Sequence, residues 1–323
     1  MIRSATRSHS KYRLTTWLTA ALAVAGASLV PAASAAAAPA DTSDNKLVII
    51  QHNTDKKGYG EAVAQAVQHG ADAITLQELC ESDAKYLRTP DGGGWNVLWR
   101  VQVNSPESNC PGVVVNGVTR QAKGVAILSK HRFGEDRTEN LYSYDPAPVD
   151  DPLREYKLIC QQLLGTGVEK SWVCTTHLAL GYDEMDGSAF RQRQITKITN
   201  LLDPWVTDGR RVVLTGDFNA EPDTANLAAL YRVTAGGTDS DKFWEGDQND
   251  PNFCPNGPCQ NMQNTTDPKR DANGDIVRPG RELDYFLVSH RRVNPRDGLK
   301  KEVTPSTTSG HHIIRGEVVF QPF

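Results

Sequence analysis

In the stretch Leu214-Thr215-Gly216-Asp217-Phe218-Asn219 a carboxylate and an amide stand two residues apart, directly after an apolar run. Residues i and i+2 of an extended backbone project to one side, so Asp217 and Asn219 are expected to point together and to hold a water, a metal or a phosphate oxygen. Gly, Asp and Asn are equally the residues of an ordinary turn, with Gly216 as the place where the strand stops. Comparable groups close other apolar runs. Asn53 follows Leu47-Val48-Ile49-Ile50-Gln51-His52, Glu78 follows Ala73-Ile74-Thr75-Leu76-Gln77, and His177 closes Val173-Cys174-Thr175-Thr176. Asp284 lies within Glu282-Leu283-Asp284-Tyr285-Phe286, and His311-His312 precede the last apolar run. Singly, each residue type reads as a cap, a turn or a satisfied surface group. Together they form a set of acids, amides and imidazoles able to bind a cation, orient a water and move a proton.

The elements that would position them alternate short strands with few helices. Strands are expected at 46–52, 72–77, 95–101, 124–129, 155–164, 171–177, 211–215, 283–289 and 313–320. Helical spacing of Ala62, Val63, Ala66 and Val67 predicts a helix over 59–69 that Gly70 ends, and Phe190, Ile195, Ile198, Leu201, Leu202 and Trp205 predict a second over 188–206. So many strands with so few helices favour an α/β fold of two packed sheets flanked by helices. Residues 239–279 are polar and read as a long loop; Asp271-Ala272-Asn273-Gly274-Asp275 lacks the remaining ligands of a calcium loop.

Arg3, Arg7, Lys11 and Arg13 precede an Ala-rich apolar run, and Ala33-Ser34-Ala35 suits cleavage, so residues 1–35 are expected to be a signal peptide, with cleavage as late as residue 40. Residues 41–323 are then one catalytic domain of a secreted, extracellular protein. Its loss of four cations and no anions takes the formal charge from −4 to −8, which disfavours a DNA-coating role while leaving room for a local basic cleft. An even cysteine count in an exported chain suggests disulfides, with Cys160–Cys174 across an expected hairpin, Cys254–Cys259 closing a short loop, and Cys80–Cys110 remaining.

Taken in order, Asn53, Leu76-Gln77-Glu78, Gly124-Val125-Ala126-Ile127-Leu128-Ser129, Thr176-His177-Leu178, Gly216-Asp217-Phe218-Asn219, Leu283-Asp284-Tyr285 and Ser309-Gly310-His311 resemble the endonuclease/exonuclease/phosphatase (DNase I-like) superfamily. The resemblance implies a four-layer αββα sandwich of two mixed β-sheets with the site between the sheets. It implies that Glu78 ligates a divalent metal ion, magnesium first, with Asn53 or His311 as further ligands, and that Asp217 orients or deprotonates the attacking water. Asn219, His177 and His311 would act beside it, Asp284 would orient the His311 ring, and Asn53 and Arg154 would hold the substrate phosphate. The chain departs from the family's closing Ser-Asp-His at Gly310, one metal carboxylate short. Either Glu78 and waters suffice, or His311 ligates and His312 is catalytic, which would favour manganese or zinc; calcium is a further candidate.

The implied function is a metal-dependent phosphodiesterase. DNA is the expected substrate, since Arg120, Lys123, Arg154, Arg191, Arg193 and Arg281 could border the site. The alternatives are a sphingomyelinase or phospholipase C acting on phospholipid head groups, with Trp95, Trp99, Phe243 and Trp244 as candidate lipid contacts, and a non-catalytic binding module of the same fold. No sustained heptads propose a partner helix, so a monomer without a stable protein partner is expected.

Overall fold

Alternation along the strands sorts side chains into three apolar layers. In Lys46–Asn53, Leu47 and Ile49 face a second sheet while Val48 and Ile50 face helices. The structure is a computed structural model that describes residues 45–321, apart from 105–107, 142–154, 166, 169, 181–186, 223, 232–241, 249, 251–253, 255–262 and 296. The signal peptide, Arg154 and the partner expected for Cys254, Cys259, lie outside the described residues.

The chain begins β1 (Lys46–Asn53), α1 (Tyr59–His69), β2 (Ala73–Cys80), α2 (Glu81–Arg88) and β3 (Asn96–Asn104). It continues through β4 (Val113–Val115), β5 (Val118–Arg120), β6 (Ala122–Ser129), β7 (Arg132–Asn140), β8 (Lys157–Leu164), β9 (Ser171–His177), α3 (Gly187–Thr207) and β10 (Arg211–Asp217). Last come β11 (Phe243–Glu245), β12 (Lys269–Arg270), β13 (Ile276–Arg278), β14 (Asp284–Ser289), β15 (Leu299–Thr304) and β16 (Ile313–Val319). One six-stranded sheet runs β15-β16-β1-β2-β6-β3 and the other β11-β14-β10-β9-β8-β7. Each is mixed: β1 and β2 are parallel, as are β9 and β10, and the other pairs are antiparallel.

Between the sheets lie Leu47, Ile49, Val125, Ile127, Ile159, Val173, Val213, Phe286 and Val288. Outside the first sheet, Ile50, Ile74 and Leu76 pack on Ala62 and Ala66 of α1 and Ala84 and Leu87 of α2. Outside the second, Leu158, Val212 and Leu287 pack with Phe190, Ile195, Ile198 and Leu202 of α3. The order is therefore helix, sheet, sheet, helix, the expected four-layer sandwich. Gly70 ends α1 at φ 59°, returning its N–H to Ala66 and Val67. Both disulfides that fall on described residues form as expected, Cys80–Cys110 and Cys160–Cys174.

Three differences from the sequence expectations matter. The 239–279 segment is not one long loop, since it holds β11 and the β12–β13 hairpin, with Asp271 Oδ1 accepting the N–H groups of Asn273 and Asp275 in its turn. Strand β10 does not stop at Gly216 but runs through Asp217, because Gly216 lets the β9 backbone come close: a Cβ there would lie 2.1 Å from the Thr176 carbonyl oxygen. Trp95 and Phe243 are buried in the fold and are not lipid contacts.

Candidate active site

Five strands that face the other sheet change from apolar to polar toward one end. The inward rows read Leu47-Ile49-Gln51-Asn53 in β1, Ala73-Thr75-Gln77 in β2, Val173-Thr175-His177 in β9 and Val213-Thr215-Asp217 in β10, with Asp284 at the start of β14. Hydroxyl and amide pairs join the sheets where apolar packing stops: Thr215 Oγ1 to Thr75 Oγ1 at 2.9 Å, and Gln77 Nε2 to Thr175 Oγ1 at 2.9 Å. Ladder register does the final positioning. Asp217 pairs with His177 of β9 on one side and with Asp284 of β14 on the other.

Four groups converge on the Asp217 carboxylate. Asn53 Nδ2 donates to Oδ2 at 2.9 Å, the Asn219 N–H donates to Oδ1 at 2.8 Å, and the Nε2 atoms of His177 and His311 lie 3.6 and 3.8 Å from Oδ2. Asn219, at φ 50°, gives its side-chain amide to the Leu178 carbonyl, so the turn and the site are one structure. Behind His311, Nδ1 lies 2.8 Å from Asp284 Oδ2, and Asp284 also receives Thr265 Oγ1 at 2.9 Å and Gln51 Nε2 at 3.1 Å. Ser309 Oγ bonds the Asn53 carbonyl at 2.7 Å and receives the His311 N–H at 3.1 Å, which fixes the closing loop. His312 turns away, its ring nitrogens on Asp267 Oδ1 and the Asn264 carbonyl. Of the two adjacent histidines, His311 and not His312 faces Asp217.

Charge follows from these contacts. Burial disfavours a charged His311 ring, but Asp284 and then Asp217 outweigh it and push the ring up to about 10. Burial, and then the Asp284 charge, push Asp217 above the usual carboxylate range, whereas Asp284, also opposed by burial, is held down by His311. A charged imidazole backed by one carboxylate and facing another suits phosphate binding and proton transfer.

Glu78 does not follow the row. A register shift between Leu76 and Leu79, with Glu78 at φ 55°, takes it out of the alternation into a pocket it lines with Gln102, Val103, Lys123, Tyr156, His177, Leu178 and Leu180. Burial opposes its charge, but His177, Lys123 and Lys56 outweigh it and hold the carboxyl at about 2, with Lys123 Nζ 2.6 Å away. An ionised oxygen donor at the pocket wall fits a hydrated divalent cation, which needs one or two carboxylates besides substrate. Asp217, Asp284 and His311 form a second group whose ligand atoms lie within 4.8 Å of one another.

Sequence reasoning missed Gln51 and Gln77, for which polar residues on the inward rows of apolar strands were the available signal, and Thr265, which lies outside the strands and offered none. Three of the arginines expected to border the site have other partners: Arg120 Nε is 3.7 Å from Glu81, Arg191 donates to the Ala179 carbonyl, and Arg193 lies over the Phe190 ring.

Residues 50–306 match the Endonuclease/Exonuclease/phosphatase family. Among solved structures, the human Nocturnin catalytic domain with bound sulfate anion is similar at TM-score 0.58 and 16% identity, covering 86% of this chain and 96% of that one. An endonuclease/exonuclease/phosphatase from Beutenbergia cavernae DSM 12333 is similar at TM-score 0.57 and 14% identity, covering 85% and 72%. TDP2 from D. rerio, complexed with single strand DNA product, is similar at 0.55 and 16%, covering 85% and 99%. No curated protein matches the chain.

Proposed function

Because the chain belongs to the Endonuclease/Exonuclease/phosphatase family of phosphoric ester hydrolases, we propose that it is a secreted phosphodiesterase, one catalytic domain over residues 41–323, that cuts DNA. The observation that carries this is the convergence of Asn53, Asn219, His177 and His311 on one buried carboxylate, Asp217. In the proposed reaction Asp217, its plane fixed by Asn53 and the Asn219 N–H, accepts a proton from the attacking water. The water oxygen bonds to phosphorus as the bond to the leaving oxygen breaks. His311, held charged by Asp284, stabilises the charge gathering on the phosphate oxygens, and His177 borders the same oxygens from the β9 side. Members of the family depend on a divalent metal; Glu78, with Asn53, is proposed to hold it, magnesium first, and when bound it polarises the phosphate.

The phosphate-binding reading is supported by the sulfate on the Nocturnin domain and the DNA product on TDP2. Export is supported by two disulfides, and no described helix is long and apolar enough to cross a membrane. A phospholipid head-group substrate is the second reading, favoured by exposed Val114 and Val118 on the β4–β5 hairpin and Leu180 at the pocket. Nicking of supercoiled plasmid and hydrolysis of sphingomyelin, assayed side by side with magnesium, manganese, calcium and zinc, separate the two. Activity on plasmid alone supports DNA; activity on sphingomyelin alone replaces it with the lipid.

A further inference from the structure

The β12–β13 hairpin rises from the wall of the site and buries nothing. All five of its strand residues, Lys269, Arg270, Ile276, Val277 and Arg278, are exposed. Its base is tied to the catalytic residues: Thr265 Oγ1 donates to Asp284, Thr266 and Arg281 exchange bonds through the Thr266 hydroxyl, and the Asp267 N–H donates to the Gly310 carbonyl at 3.0 Å. Lys269 follows Asp267 by two residues, so their Cα atoms lie within about 7 Å.

Two features of this hairpin cost stability without a ligand. Lys269 and Arg278 are direct cross-strand partners, an opposition of like charges that is unfavourable in a sheet, and neither forms an ion pair with another described residue. The nearby Asp271 carboxylate is turned into the hairpin's own turn. Ile276 and Val277 remain 55% and 57% exposed. A polyanion would remove the first cost, and a groove lined by sugars and base edges would cover the second. The major groove of a duplex admits a two-stranded ribbon, whereas interfacial membrane binding draws on Trp, Phe and Leu, none of which the hairpin strands carry.

We propose that β12–β13 is a duplex-binding ribbon, with Lys269 and Arg278 gripping backbone phosphates a few nucleotides from the scissile one and Ile276 and Val277 entering a groove. The proposal rests on the DNA reading above and adds the element that holds the duplex.

The test compares the full-length protein with the double variant Lys269→Ala, Arg278→Ala. Plasmid nicking is measured as kcat/KM across a series of salt concentrations, and hydrolysis of bis(4-nitrophenyl) phosphate serves as the reference. Expected are a fall in plasmid kcat/KM of about tenfold or more at low salt, a log–log salt slope shallower by roughly 2, and unchanged turnover of the small ester. The variant should melt no lower than wild type, since an unfavourable charge opposition has been removed. Equal plasmid kinetics in the two proteins would overturn the ribbon while leaving the DNA reading intact. Wild type that cleaves the small ester but not plasmid would overturn both. Loss of binding to phosphatidylserine vesicles with plasmid kinetics unchanged would reassign the hairpin to a membrane.

Discussion

His311 Nδ1 lies 2.8 Å from Asp284 Oδ2, and this pair sets the charge of the site. The ring is raised from 6.5 to about 10, so its charge contributes stability fully below pH 6.5 and loses it as pH rises through about 10. Compared in chelator with His311→Gln, wild type should hold a Tm advantage at pH 6.5 that shrinks between 6.5 and 10. An advantage that does not change over that interval would show that His311 is not held charged.

Asp284→Asn keeps the shape of the partner and removes its charge. With the ring no longer held protonated, kcat on a small phosphodiester should fall about 10²- to 10⁴-fold with KM little changed. A fall in KM-controlled binding alone would place Asp284 outside the proton inventory.

Gly216→Ala tests the register that sets Asp217 beside His177. The added Cβ would meet the Thr176 carbonyl at 2.1 Å from a backbone at φ 137°, so β9 and β10 must part. Urea denaturation should show a loss of about 1–3 kcal/mol or more, with kcat falling as well. A variant as stable and active as wild type would mean the close approach does not position the site.

By the sequence resemblance Gly310 is expected to stand where the family carries a carboxylate, and a Cβ built there meets nothing within 4 Å. Gly310→Asp should therefore fold normally and lower the magnesium concentration for half-maximal activity by roughly tenfold or more, through added ligand charge. An unchanged magnesium requirement would mean that Glu78 and its waters already complete the metal site.

Lys301 tests what holds the two sheets at one edge. Its fully buried ammonium reaches Glu245 at 2.8 Å and Asp247 at 3.1 Å, and also Glu282, two residues before Asp284. Burial disfavours its charge, yet Asp247, Glu245 and Glu282 together raise it well above the ordinary lysine value. Lys301→Met leaves three buried carboxylates without their cation, and urea denaturation should show a loss of about 3–5 kcal/mol.

The strand-end groups were legible because an apolar run and the polar residue that closes it are both written locally, as Asp217 after Val212-Val213-Leu214; that Val213, Thr215 and Asp217 share one face was hidden until β10 proved to continue through Gly216. The edge strands β7 and β15 were not, although the edge strand β3 was. β7 is Arg132–Asn140, nearly all polar, and β15 exposes Lys300 and Glu302, because an edge strand lacks a second neighbour and is protected by charge, while Lys301 of β15 is buried among acids. The displacement of Glu78 from its row was also hidden, since a bulge depends on the register of β6 against β2 and not on the β2 sequence. Arg120 could be counted as a cleft cation only while its partner Glu81 was out of view, whereas Lys123 does line the pocket, paired with Glu78.

The central claim is that Asp217 is the group that activates water in a metal-dependent phosphodiester hydrolase. The most direct measurement is bis(4-nitrophenyl) phosphate hydrolysis by wild type and Asp217→Asn, each with magnesium and with excess chelator. Wild type should turn over the ester only with metal, and Asp217→Asn, folded by circular dichroism, should lose about 10²- to 10⁴-fold in kcat. Turnover by Asp217→Asn at the wild-type rate, or wild-type turnover untouched by chelator, would contradict the account.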